Sequence, residues 1–298
     1  DALYLQPRVA SIYLLRDGDQ AALVDTGTCH SLDNVLATLR TLEIAPSQVR
    51  YVIPTHVHLD HAGGASAMMR AFDQATLLIH PRGARHMADP QKLIDGTVAV
   101  YGQQKFDRLY GKIEPIDERR MHIVEDDERI SLNRRELLFF DTPGHARHHF
   151  CIYDAASEGV FTGDTFGLSY DAMKDLPRGL LPTTPPSQFD PPALRESIAR
   201  IAALQPRRLY LTHFGAFTDP LAQVDSFHRW LDAYVDLCER LQPADQTAES
   251  ELEAELTALV IDGLAPGAAR EAVAGSLRMD LRLNAQGLAH WWRSTHRD

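Results

Sequence analysis

Cysteine is scarce in this 298-residue chain, and Cys29, Cys151 and Cys238 stand far apart. With no second cysteine near any of them, a disulfide framework is excluded and a reducing, cytoplasmic setting is expected, the thiols serving as small buried hydrophobes. No apolar run approaches the roughly 18 residues that a membrane-spanning helix needs, so no membrane partner is expected. The opening DALYLQPRVAS lacks the basic-then-apolar pattern of a secretory leader; it starts on Asp1 rather than Met, as a chain that has lost an upstream segment would. Long Lys/Arg clusters are missing as well, and the net charge is −11. Polyanion binding needs a basic face, so nucleic acid is not an expected partner, and the acidity serves solubility. Solenoid repeats and low-complexity runs are absent from the sequence.

A hydrophobic content of 44% supports a substantial core. SIYLL (11–15) and AALVDTG (21–27) read as a hairpin turning at Gly18. SLDNVLATLRTLE (31–43) puts Leu32, Val35, Leu36 and Leu39 on one helical face, with Ser31 as N-cap. YVIP, ATLLIH (75–80), LLFFD (137–141), HFCIYD (149–154), GVFTG (159–163) and RLYLTH (208–213) read as strands, and PALRESIARIAAL (192–204) as a helix. This alternation predicts sheets inside and helices outside, with a site at the carboxyl ends of strands. GTVAVYGQQKFDRLYG, within an insertion over 82–120, is expected to be one helix carrying Tyr101, Phe106, Leu109 and Tyr110. Residues 219–298 read as a helical extension to a domain of residues 1–218. Its first helix would show a stripe of Leu221, Val224, Phe227, Leu231, Val235 and Cys238, and QPADQTAESE (242–251) a loop.

The stretch THVHLDHAGG (55–64) crowds three histidines and an aspartate into six positions after an apolar strand. In extended backbone, side chains two apart share a side, so His56, His58 and Asp60 would project together, with His61 where the chain turns into a helix carrying Ala65, Met68, Met69 and Phe72. Imidazole and carboxylate are the usual donors to zinc and iron. Further ligand candidates stand where other strands end: His145 in DTPGHARHH, Asp164 in FTGDTFG and His213 in YLTHFG.

The ordered set HVHLDH, TPGH, TGD and LTHFG, over residues 10 to 215, resembles the metallo-β-lactamase fold superfamily. The resemblance implies an αββα sandwich, two mixed β-sheets face to face with helices on both outer sides. It implies two divalent metal ions, zinc first, with iron or manganese as alternatives. His56, His58 and His145 would hold one ion, Asp60, His61 and His213 the other, and Asp164 would bridge them, with a hydroxide between the ions as nucleophile. Asp60 would also act catalytically, passing a proton to the leaving group. Asp25 in VDTG would support the site or simply form a turn, His149 would orient neighbours, His148 is an additional ring, and His80 and His86 would be structural or line the cleft.

Departures from the family's branches narrow the reading. The zinc β-lactamases lack a ligand where His61 stands and commonly carry Cys where Asp164 stands. The RNA-processing nucleases insert a large domain between the last acid and the last His. Diiron flavoproteins carry Glu at the position of His58, and glyoxalase II carries His where this chain has Val57. Hydrolysis of a small ester, thioester or lactone by a glyoxalase II-like or lactonase-like enzyme is the expected activity. The alternative is a persulfide dioxygenase using one iron on His56, His145 and Asp164. Residues 94–110, rich in Tyr and Phe, would form either a lid over an apolar substrate pocket or a homodimer contact.

Overall fold

Successive residues of a strand face opposite sides, so a sheet buried on both faces serves two hydrophobic layers. In the computed structural model, which describes residues 1–173, 176, 179–264, 267 and 269–296, the first sheet has the order β1 (Tyr13–Asp17), β2 (Gln20–Val24), β3 (Val49–Ile53), β4 (Thr76–Ile79), β5 (Met121–Ile123). β1 and β2 form the expected antiparallel hairpin, with Tyr13 opposite Val24, whereas β2 to β5 run parallel. A second sheet contains β6 (Arg129–Leu132), β7 (Arg135–Asp141), β8 (Phe150–Asp154), β9 (Gly159–Leu168), β10 (Arg208–His213) and β11 (Gly215–Thr218), in the order β11-β10-β9-β8-β7-β6. On β2, Ala22 and Val24 enter the layer between the sheets, with Leu137, Phe139, Phe150, Ile152 and Phe161. Ala21 and Leu23 face the other way, joining Val35, Leu39, Met68 and Phe72. Period-two alternation thus fills both layers from one strand.

That outer layer is closed by α1 (Leu32–Thr41), the single turn α2 (Leu59–Ala62), α3 (Ala65–Ala71) and α4 (Pro81–Ala88). The two stacked sheets and their flanking helices are the expected αββα sandwich, with further helices toward the C-terminus. Ser31 does not cap α1 with its side chain. Its hydroxyl instead donates to the Ala2 carbonyl and accepts from Thr28 N–H. The single helix expected over 96–111 is two, α5 (Gln91–Tyr101) and α6 (Gln103–Tyr110), because Gly102 adopts φ 79° and breaks the run. Phe106 and Tyr110 are buried, so they are core of this subdomain rather than an exposed apolar lining.

The chain forms two compact units: Asp1–Asp141 with His148–Gly163 and Arg208–Ala216, and Thr142–Arg147 with Asp164–Arg207 and Phe217–Asp298. The second contains α7 (Pro191–Ala203), N-capped by the Asp190 carboxylate, then α8 (Val224–Leu241), α9 (Gln246–Leu264) and α10 (Arg270–Thr295). α8 buries Phe227, Trp230, Leu231, Tyr234, Leu237 and Cys238, a stripe rotated from the expected one. Leu221 precedes the helix and is exposed, and Val224 and Val235 are half-buried at its flank. The expected loop 242–251 is shorter, since α9 already begins at Gln246. α9 and α10 also bury apolar residues, among them Leu252, Leu256 and Val260 of α9 and Leu277, Leu281 and Leu288 of α10.

Candidate metal centre

Strand β3 ends at Ile53, before Pro54, and the bent loop that follows carries His56 and His58. Their rings meet, with His56 Nε2 2.8 Å from His58 Nδ1. Asp60 departs from the expected alternation because it lies in α2, where it groups with His61 and His213 instead. One donor atom from each of these three lies within 4.8 Å of the others. The Gly63–Gly64 link behind α2 is tight: a Cβ on Gly64 would stand 2.4 Å from the Thr26 carbonyl oxygen. That closeness lets Thr26 bond His61, its N–H and hydroxyl both donating to the His61 carbonyl.

Each imidazole of this group is oriented through its Nδ1. His61 Nδ1 donates to Asp25 Oδ2 at 2.9 Å, and His213 Nδ1 donates to the Val9 carbonyl at 2.8 Å. The opposite nitrogens converge on one carboxylate oxygen, His61 Nε2 at 3.8 Å and His213 Nε2 at 3.4 Å from Asp60 Oδ2. Donors sharing an ion at about 2.1 Å stand roughly 3–4 Å apart. The spacing and the anchored tautomers therefore fit a divalent metal. Asp25 adopts φ 58° and is fully buried. Besides His61, it accepts from Thr55 N–H and Oγ1 through Oδ1 and from Thr212 Oγ1 through Oδ2. It is the expected support for the loop, and more than a turn-former.

In the second unit His145 and Asp164 repeat the pattern. His145 Nδ1 donates to Thr183 Oγ1 at 2.9 Å, that hydroxyl donates to the Asp164 carbonyl, and His145 Nε2 lies 3.4 Å from Asp164 Oδ2. Thr183 belongs to a segment tied to α10: the Asn284 side chain accepts from Thr184 N–H and donates to the Pro182 carbonyl. Asp164 sits inside β9, which continues past the expected end at Gly163 to Leu168.

The remaining histidines separate by role. His149 stacks on His56 at 4.9 Å between centroids. His148 is also stacked on His56 and edge-on to His58, and its Nδ1 accepts from Val57 N–H. Burial, reinforced by His58, His86 and His80, lowers the His148 pKa to about 2, so this ring stays neutral. His80 is structural: Nδ1 accepts from Arg82 N–H at the start of α4 and Nε2 donates to Asp141. His86 is held below its ordinary pKa by burial and by Arg85 and Lys92. Thr55, Thr183, Thr212 and the Val9 carbonyl were not legible in the sequence, since a threonine or backbone oxygen carries no ligand signature.

A family model described as the metallo-beta-lactamase superfamily matches residues 5–213. The metallo-beta-lactamase fold-containing protein ST1585 of Sulfurisphaera tokodaii is 26% identical over 213 residues, covering 70% of this chain and 74% of that protein. Its crystal structure superposes with a TM-score of 0.65 at 22% identity, over 95% of this chain and 93% of that one. Human acyl-coenzyme A thioesterase MBLAC2 is 27% identical over 168 residues, 52% of this chain, and the match spans only 57% of that relative's length. TTHA1623, solved in a di-iron-bound form, superposes with a TM-score of 0.52 at 24% identity, covering 75% of this chain and 96% of that one. With well over half of its length matched by the family model, and with the sheets and histidine-rich loop described above, the chain belongs to the metallo-beta-lactamase superfamily.

Proposed function

We propose that the chain is a hydrolase holding two divalent metal ions, zinc first, that cleaves a small-molecule ester, thioester or lactone. His56, His58 and His145 are assigned to one ion, Asp60, His61 and His213 to the other, and Asp164 to the position between them. The observation that carries the reading is the pair of imidazoles anchored through Nδ1 by Asp25 and Val9, with Nε2 atoms 3.8 and 3.4 Å from one Asp60 oxygen. Ions in these positions would supply an activated water and a polarised carbonyl. Asp60, whose side chain keeps 22% exposure, takes a proton on its carboxylate and delivers it to the leaving group. Asp25 holds His61 in the ligating tautomer, and Thr183 does the same for His145. The name of MBLAC2 supports the thioester arm, and the di-iron form of TTHA1623 supports dinuclear occupancy.

Elemental analysis of the purified protein, with turnover of an acyl-coenzyme A thioester, a γ-lactone and an aryl ester, tests the reading. Two ions per chain and turnover of at least one probe are expected. Asp60→Asn should keep the fold and at least one ion while lowering kcat by about 10²–10⁴-fold. Unchanged turnover removes Asp60 from proton transfer. A single iron per chain with oxygen uptake on a thiol persulfide replaces the hydrolase with a dioxygenase.

A further inference from the structure

Arg85 and Lys92 stand apart from most cations of this acidic chain. Arg135, Arg240 and Arg293 each meet a carboxylate, of Asp154, Glu255 and Glu249 respectively. Among the described residues, neither Arg85 nor Lys92 has such a partner. The acids nearest in sequence are engaged elsewhere: Asp89 accepts from Gln91 N–H at 3.2 Å, and Asp95 from Gln91 Nε2 at 2.7 Å. Both cations are exposed, Arg85 in the last turn of α4 and Lys92 in the first turn of α5, two helices joined by Asp89 and Pro90. In a chain with 41 acidic residues against 30 basic ones, such a pair makes a local positive spot on a surface that otherwise repels anions.

Side-chain contacts tie that spot to the histidine-rich loop. Arg85 Nε donates to His86 Nε2 at 3.4 Å, an imidazole standing where other arginines have an acid. The His86 ring is edge-on to His148 at 6.4 Å between centroids, and His148 is edge-on to His58 at 5.5 Å. The rings of His86 and His148 therefore separate the Arg85 guanidinium from His58. Lys92 acts on the same ring as Arg85, since its charge joins burial and Arg85 in lowering the His86 pKa. A group docked on Arg85 would lie to one side of the loop that carries His56 and His58. A molecule reaching both places needs a spacer between its anion and its reacting carbonyl. The planar guanidinium suits a carboxylate or a phosphate.

We propose that Arg85, assisted by Lys92, binds the anionic group of an acyl substrate whose phosphate or carboxylate is held by a spacer away from the reacting carbonyl. The proposal deepens the hydrolase reading and rests on it for the word substrate, but the anion site is measurable without turnover. Three thioethers that cannot be hydrolysed serve as probes: S-propyl-coenzyme A with phosphates, S-propylglutathione with carboxylates, and uncharged S-propyl-N-acetylcysteamine. Each is titrated calorimetrically into metal-loaded protein. At least one charged probe should bind, and Arg85→Gln should weaken it about three- to fivefold, the upper end for an exposed ion pair. Arg85→Glu/Lys92→Glu should weaken it about tenfold or more, because repulsion replaces attraction at two positions. Arg85→Lys should keep most of the affinity, and metal content should not change in any variant. Raising ionic strength from about 0.01 to 0.15 M should weaken charged-probe binding to the wild type and not to the double variant. A loss confined to S-propyl-coenzyme A assigns a phosphate to the site, and one confined to S-propylglutathione a carboxylate. No charged probe binding to the wild type, equal affinity in wild type and double variant, or a parallel loss for the uncharged probe overturns the proposal. Arg85-dependent binding without turnover of any ester, thioester or lactone sinks the hydrolase reading and leaves the anion site standing.

Discussion

Replacing Asp25 with Asn changes one atom of a buried carboxylate that serves four donors. Asparagine tolerates the left-handed backbone at φ 58°, so no conformational strain is added. Two of the donors, the Thr55 and Thr212 hydroxyls, can rotate; Thr55 N–H and His61 Nδ1–H cannot. Wherever the new amide nitrogen is placed, it meets one of the two fixed donors. The backbone has no alternative, but His61 has a second tautomer. The ring therefore gives way, moving its proton to Nε2, the atom that faces Asp60 Oδ2 at 3.8 Å. One displaced hydrogen bond to a charged acceptor costs about 1.5–3 kcal/mol of stability. Metal affinity should fall about 10–100-fold, as loss of an outer-shell partner does. Urea unfolding of the metal-free protein reads the first quantity, and competition with a chromophoric chelator reads the second. Wild-type affinity in Asp25→Asn would refute the tautomer argument, whatever the stability.

Two further outcomes follow from packing and charge. Phe106→Ala should cost about 3–5 kcal/mol, because the ring is buried against Tyr110 and not lining an open pocket; a melting temperature within a degree of wild type would restore the lid reading. Asp154 is buried; burial opposes its ionisation, but Arg135, Ser157 and the Ala156 N–H outweigh that and hold its pKa below the usual value. A carboxyl lowered in the folded state contributes fully above its unfolded pKa, about 3.9, and the contribution drains away as pH falls below it. Asp154→Asn should therefore lose about 2 kcal/mol at pH 7, less than a fully buried pair because Arg135 keeps 22% exposure, and converge on wild type near pH 2. A gap in denaturation midpoint that does not vary with pH would refute this.

Apolar runs made the strands legible, because a strand buried on both faces, such as β2, carries apolar residues at successive positions. Ligand identity was legible for the same reason that it is useful: few side chains bind a metal, so their clustering in THVHLDH stands out. What escaped depends on backbone geometry. Asp60 was assigned to an extended run, yet the chain had already turned into α2, and a single helical turn is too short to show a period. Gly102 looked like a tolerated glycine inside a helix, and only its positive φ reveals the break. The hydroxyl of Ser31 had two local uses, and the Ala2 carbonyl, distant in sequence, decided between them. The α8 stripe shifted because Trp230 and Tyr234 outweigh the smaller Val224 and Val235 in the area they bury.

The tie from Asn284 to Pro182 and Thr184, next to the threonine that orients His145, gives α10 a thermodynamic stake in that histidine. Coupling of this kind is reciprocal. If a folded α10 raises the affinity of His145 for an ion by some factor, then a bound ion must protect α10 against unfolding by the same factor. Amide exchange along Arg270–Thr295 would then slow on metal loading, although Asn284 itself carries no ligand atom assigned to the ion. A remote helix would keep a record of occupancy.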